Sequence, residues 1–192
     1  MILVASAADA ESALRGGAFT CPGCAGRLRP YGHGRTRTVR GAGAARLTVT
    51  PRRARCASCR ATHMLLPAAL SVRMADTTEG IGAALAAKAR GDGYRAIAAR
   101  LGRPVSTVRR WLRRVRPAHA RWLYEQGMLH LRRYDSHKLA YPGVLPTLLG
   151  QALNVLAGAA LTSQHTLGSD LPPWTLIGIF ARGHLLGPPL RT

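Results

Sequence analysis

The sequence predicts an α+β protein that is mostly helical: a small β unit, three helices around a tight turn, and a helical C-terminal region. Three observations carry this reading. Residues 19–66 alternate apolar positions with Arg and Thr and contain two Cys-x-x-Cys pairs. From Asp76 the apolar period becomes helical, interrupted at Gly91-Asp92-Gly93, Gly102 and Pro117. From Leu139 to Ser169 there is no charged residue, which suits buried helix. The 192 residues then divide into an N-terminal helix or arm (1–18), a β unit (19–67), a three-helix unit (75–117) and a helical C-terminal region (118–192).

Each element has a local cause. Residues 9–15 predict a short helix closed by Gly16-Gly17. Strands are expected at Thr36–Arg40, Leu47–Thr50, Arg53–Arg55 and Thr62–Leu66, with a turn at Gly41–Ala45. Asp76 followed by Glu79 reads as a capping box opening a helix along which Ile81, Leu85 and Lys88 are spaced. A second helix is expected at Tyr94–Leu101, and a third, capped by Ser106, to about Arg114. A fourth follows Ala118 to Leu131, then apolar helices at 144–162 and 173–182.

Charge narrows the classes of partner. Twenty-eight basic residues face eight acidic ones, a net charge of +20. Twenty-six of the basic residues are Arg, whose planar fork pairs with phosphate by two bonds. A GC-rich genome would explain Arg over Lys but not the shortage of acids. Ten Arg and no acid fall between Arg27 and Arg60, and nine Arg and no acid between Gly93 and Tyr124. Both blocks read as phosphate-facing surface. Gly143–Leu161 has the length of a membrane span, but Pro146, Gln151, Asn154 and its small residues favour a buried helix. Met1–Ala8 lacks the basic start of a secretory leader, so the cysteines are expected in a reducing cytoplasm.

The cysteines form the pattern Cys21-x2-Cys24, thirty-one residues, Cys56-x2-Cys59. Two intervening residues let both thiolates of a tight turn face one metal, and Gly26 suits the curl of such a knuckle. The expectation is one structural Zn2+ in a zinc ribbon, contributing folding energy that so small a β unit lacks. Four thiolates leave no open coordination position, so no catalytic role is expected for the metal. His33 and His63 lie nearby as weaker candidate ligands and read better as strand or turn residues.

Residues 94–114 satisfy the steric demands of a helix-turn-helix. Ala98 is small where two helices cross, Gly102 turns the chain, and Val108 packs back. Ile97, Leu101 and Leu112 complete an apolar triangle with Trp111 at its edge. The third helix of the unit would then enter a DNA major groove. Ser106, Thr107, Arg109 and Arg110 would reach base edges. Arg113, Arg114 and Arg116, with Arg95 and Arg103, would hold phosphate. Arg35, Arg37, Arg40, Arg52 and Arg53 of the β unit would add further phosphate contacts.

The run Cys-Pro-x-Cys, Tyr31-Gly-His-Gly-Arg-Thr-Arg-Thr-Val-Arg, Arg52-Arg-Ala-Arg-Cys-x-x-Cys and Thr62-His-x-Leu-Leu-Pro resembles the N-terminal zinc-binding region of one class of bacterial insertion-sequence transposases. In those proteins too a helix-turn-helix follows. The chain also resembles actinobacterial helix-turn-helix proteins found near mobile elements. The likeness covers roughly residues 19–116. Such transposases continue into a nuclease domain with three metal-binding carboxylates, whereas here only Glu125, Asp135 and Asp170 follow. The resemblance therefore implies DNA recognition without strand transfer, and no enzyme is expected.

The expected function is sequence-specific double-stranded DNA binding, as a transcriptional regulator or a transposition accessory factor at the cytoplasmic nucleoid. The alternatives are an inactive or truncated transposase-derived protein and an RNA-binding zinc ribbon. A-form major grooves exclude a helix, which speaks against RNA. Leu148, Leu153, Leu156, Trp174, Ile177 and Phe180 form either a self-contained helical core or a homodimer surface, and dimerisation is favoured because one helix-turn-helix reads only a short site.

Overall fold

The computed structural model describes residues 1–134 and 145–187. The alternating N-terminal third forms six short strands: β1 (Ile2–Val4), β2 (Leu28–His33), β3 (Arg37–Arg40), β4 (Arg46–Val49), β5 (Arg52–Cys56) and β6 (Thr62–Pro67). Four of them make a sheet in the order β1-β6-β5-β2, while β3 and β4 pair as a separate hairpin. Strand β2 was not expected from the sequence, because Pro30 and Gly32 mask its alternation; its pairing with β5 shifts register between Pro30 and His33.

The expected N-terminal arm is part of this unit. Ile2–Val4 pairs in parallel with Leu65–Pro67, and helix α1 (Ala7–Gly16), capped by Ser6, packs beside the sheet. Val4, Ala10 and Leu14 share one buried cluster with Cys21, Leu28, Ala54, Cys56 and Leu65. A parallel partner sixty residues away leaves no local signal, so a three-residue strand reads as tail.

The helical part comprises α2 (Thr78–Ala89), α3 (Tyr94–Leu101), α4 (Val105–Arg114), α5 (Pro117–Tyr134), α6 (Leu148–Leu167) and α7 (Pro173–Phe180). Two expected caps differ from those observed. Thr77, not Asp76, caps α2, its hydroxyl accepting the Gly80 N–H at 3.2 Å. Helix α4 begins at Val105, one residue before Ser106, and has no side-chain cap. Pro104 precedes it and supplies no free amide, and its fixed φ sets the entry angle. Asp135 and the expected helix start at 144 lie outside the described residues.

Among the described residues, much of the apolar surface of α6 and α7 is spent on this chain's own core. Leu153, Leu156, Ile177 and Phe180 are buried in one cluster with Ile81, Leu85, Ile97, Val108, Trp111 and Leu123. Leu148 and Trp174 are half-buried. These side chains therefore do not support the expected dimer surface. Helices α5 and α6 make the most extensive helix pair, and Gly127 allows the approach: a Cβ there would stand 3.0 Å from the Leu156 backbone nitrogen. No described helix is long and apolar enough to cross a membrane.

Candidate nucleic-acid interface and metal centre

Each Cys-x-x-Cys forms the same knuckle. The Cys21 N–H donates to Gly26 O at 2.8 Å, and the Cys56 N–H donates to Ala61 O at 2.9 Å. The residue after each second cysteine is left-handed, Ala25 at φ 56° and Arg60 at φ 64°. Gly26 is not the curl itself, as the sequence suggested. It is needed for space, because a Cβ there would press on Ser58 and on Cys56 Sγ.

Folding of β2 onto β5 brings the two knuckles face to face. The four Sγ atoms all lie within 4.8 Å of one another, with Cys21–Cys59 at 3.6 Å and Cys24–Cys56 at 3.5 Å. Tetrahedral thiolates at about 2.3 Å from a zinc ion stand about 3.8 Å apart, so the set fits such an ion. None of the four is in a disulfide. Burial raises the Cys56 thiol, but N–H donation from Cys59 and Ser58 and the Cys24 thiol bring it down to about 6. For Cys59 the Ala61 N–H works downward, and the Cys24, Cys56 and Cys21 sulfurs outweigh it, pushing the thiol up to about 12. Four sulfurs this close cannot all hold negative charge unless a cation neutralises them. His63 Nε2 lies 3.4 Å from Cys21 Sγ, beside the cluster and outside the four-sulfur set, and burial lowers its pKa. His33 is exposed at the end of β2.

The helix-turn-helix residues come together as expected. Ala98 and Ile97 of α3 and Val108 of α4 are buried against each other's helices, and Gly102 takes a left-handed φ of 60° at the turn. Trp111 differs from expectation: it is 1% exposed, inside the core that α2, α5 and α6 complete, not at its edge. That burial was not visible locally, because the covering helices lie far along the chain.

On α4, Ser106, Arg109, Arg110 and Arg113 are exposed at spacings of three and four, so they share one outward face. Arg114 and Arg116 are exposed beside it, and Arg95 lies on α3 with its guanidinium 5.8 Å from the Tyr94 ring. Among the described residues, no ion pair engages any of these six arginines. Thr107 does not join them. It is buried on the inner side of α4 with Val108 and Trp111, so it is placed for packing rather than base contact.

Arg103 is likewise no surface phosphate ligand. Its side chain is 5% exposed, and its Nε donates to Asp76 Oδ1 at 2.7 Å. Its Nη1 donates to Gly43 O at 3.1 Å and Leu101 O at 3.0 Å, and its Nη2 to Gly41 O. Arg40 meets the same carboxylate with two bonds, Nε to Oδ1 at 3.0 Å and Nη2 to Oδ2 at 2.7 Å. Arg40 is thus also committed internally. Arg52 Nε stands 2.8 Å from Glu11 Oε2, close enough for an ion pair though not aligned as a hydrogen bond, and it too is half-buried.

Of the remaining β-unit arginines, Arg35 is exposed, while Arg37 and Arg53 are half-buried. Arg53 and Arg55 place their guanidinium carbons 5.3 and 5.1 Å from the exposed Tyr31 ring. Arg29 stands directly opposite Arg55 across β2 and β5. Sequence reasoning overlooked Arg29, Arg55 and Tyr31; the period-two alternation within Arg52–Cys56 was the available signal.

Comparison with known proteins bears on the helical part. Residues 82–120 match a family described as a homeodomain-like domain, which contains the helix-turn-helix and the start of α5. The match does not extend to the cysteine knuckles. No curated protein and no solved structure matches the chain. The chain therefore contains a homeodomain-like helix-turn-helix, a fold that suggests a DNA partner.

Proposed function

We propose that this protein binds double-stranded DNA sequence-specifically through α4, beside a zinc ribbon held by Cys21, Cys24, Cys56 and Cys59. The observation that carries the reading is the outer face of α4. Four arginines, Arg109, Arg110, Arg113 and Arg114, stand exposed with no acidic partner among the described residues, on the helix that follows the turn. Ser106, Arg109 and Arg110 read base edges, with Arg able to bridge guanine O6 and N7. Arg113, Arg114, Arg116 and Arg95 hold phosphate, and Arg35, Arg37 and Arg53 extend the basic surface onto the β unit.

One zinc ion is structural in this reading, since four thiolates complete its coordination. The protein recognises DNA without cutting it, as a regulator of transcription or an accessory factor of a mobile element, and works at the nucleoid. Selection from a random duplex pool tests the proposal. Recovery of a shared motif, bound more tightly than duplex RNA at about 0.15 M salt, is the expected result. Equal binding to any duplex, or preference for RNA, would overturn it.

A further inference from the structure

We propose that the β3–β4 hairpin is a second DNA-contacting element, locked in register with α4 so that Arg46 grips a phosphate beside the groove that α4 enters. This rests on the DNA-binding reading above and extends it to a segment some sixty residues away in sequence.

The placement comes from Arg103, two residues before α4 begins. Its guanidinium donates to the carbonyls of Gly41 and Gly43, both in the hairpin turn, so that turn lies against the N-terminal end of α4. The N-terminal residues of such a helix are those that face base edges. A second tie holds the strand side. The Arg40 N–H donates to Ala75 O and the Thr77 N–H to Arg40 O, both at 2.9 Å, while the Arg40 side chain forks onto Asp76. Backbone and side-chain bonds thus fix the hairpin at both its turn and its strand.

The hairpin is also built to meet a polyanion. Arg40 and Arg46 stand directly opposite across β3 and β4, a like-charge pair that would repel unless one charge were neutralised. Asp76 pairs with Arg40 and draws its guanidinium away from Arg46, but it is shared with Arg103, so the cluster keeps a net positive charge. Arg46 is exposed and has no acidic partner among the described residues, so its charge is left for an outside anion. Thr38 and Thr48, the exposed pair on the same hairpin, add two hydroxyls. At the tip, Ala42, Gly43, Ala44 and Ala45 are all exposed and carry nothing larger than a methyl group, so no side chain holds off an approaching backbone. A buried carboxylate shared by two arginines is a weak source of stability compared with apolar packing, and its best-attested use is to fix register.

The test uses the full zinc-loaded chain and the duplex recovered by selection. Hydroxyl-radical footprints and the salt dependence of binding are compared for wild type, Arg46→Ala, Ala44→Asp and Arg109→Ala. Arg46→Ala is expected to lose backbone protection at one flank, lower the salt slope by about one and leave base preference intact. Ala44→Asp is expected to weaken binding through repulsion at the same flank. Both positions are exposed, and unchanged zinc content and melting temperature verify folding. Wild-type footprints and slopes for both hairpin variants, with Arg109→Ala impaired, would overturn the hairpin proposal and leave the α4 reading standing. A wild-type chain that binds no duplex would overturn both.

Discussion

Arg103 and Asp76, twenty-seven residues apart, meet in a buried ion pair with Nε and Oδ1 at 2.7 Å. Neither was expected there: local sequence assigned Asp76 to a helix cap and Arg103 to the DNA. Their pairing, shared with Arg40, joins the start of α2, the turn before α4 and the end of β3 at one point.

Removing the carboxylate should therefore cost more than its own bonds. Asp76→Ala leaves Arg103 charged and buried, a situation that costs about 3–5 kcal/mol. Asp76→Asn keeps an acceptor and should lose less. Urea unfolding of both variants measures this; a loss under about 1 kcal/mol for Asp76→Ala would show that the clamp is not structural.

Metal removal should act on one part of the chain. The knuckles and Val4, Leu14, Leu28 and Leu65 share a small core, whereas α2–α7 have a large one of their own. A strong chelator is expected to abolish the β unit's fold while most helical circular dichroism persists. Elemental analysis should give one zinc per chain, with Cys24→Ser reducing it. Simultaneous loss of all helix on chelation would contradict a helical core separate from that of the knuckles.

The arginines should separate into three behaviours. Arg109→Ala should relax preference at one base position, at about 1–3 kcal/mol for the favoured base. Arg113→Ala or Arg116→Ala should weaken all sequences alike and lower the salt slope by about one. Arg103→Ala should instead lower the melting temperature, because its donors are already engaged within the fold. Titrations across salt combined with melting curves check all three, and indistinguishable effects of Arg109→Ala and Arg113→Ala would remove the division between base and phosphate contacts.

Stability should fall in mild acid. Burial lowers the pKa of His119, His130 and His184 below the ordinary 6.5. Below pH 6.5 the unfolded chain therefore takes up protons that the folded chain resists, so stability is full above about pH 7 and declines as pH falls through 6.5. His119→Gln, which can still donate toward the Leu185 carbonyl, should flatten the histidine contribution. A pH profile of melting temperature for this variant that matches wild type would exclude His119 as a source.

The sequence by itself determined the elements whose causes are local. Two residues between cysteines make a knuckle, Ala98, Gly102 and Val108 make a helix-turn-helix, and the scarcity of acids leaves arginine charge unneutralised. It also put Ser106, Arg109 and Arg110 on the outward side of α4, but it grouped Thr107 with them and Arg113 apart, whereas the helical spacing joins Arg113 to that face and turns Thr107 inward. What only tertiary structure decided was which groups are already used. Arg40, Arg52, Arg103 and Thr107 resemble their exposed neighbours in sequence, yet distant partners or covering helices commit them to the interior. Strand β1 and the apolar C-terminal third likewise took their roles from partners far along the chain. Local geometry is set by bonds between near neighbours, but burial and charge pairing depend on what the folded chain brings alongside.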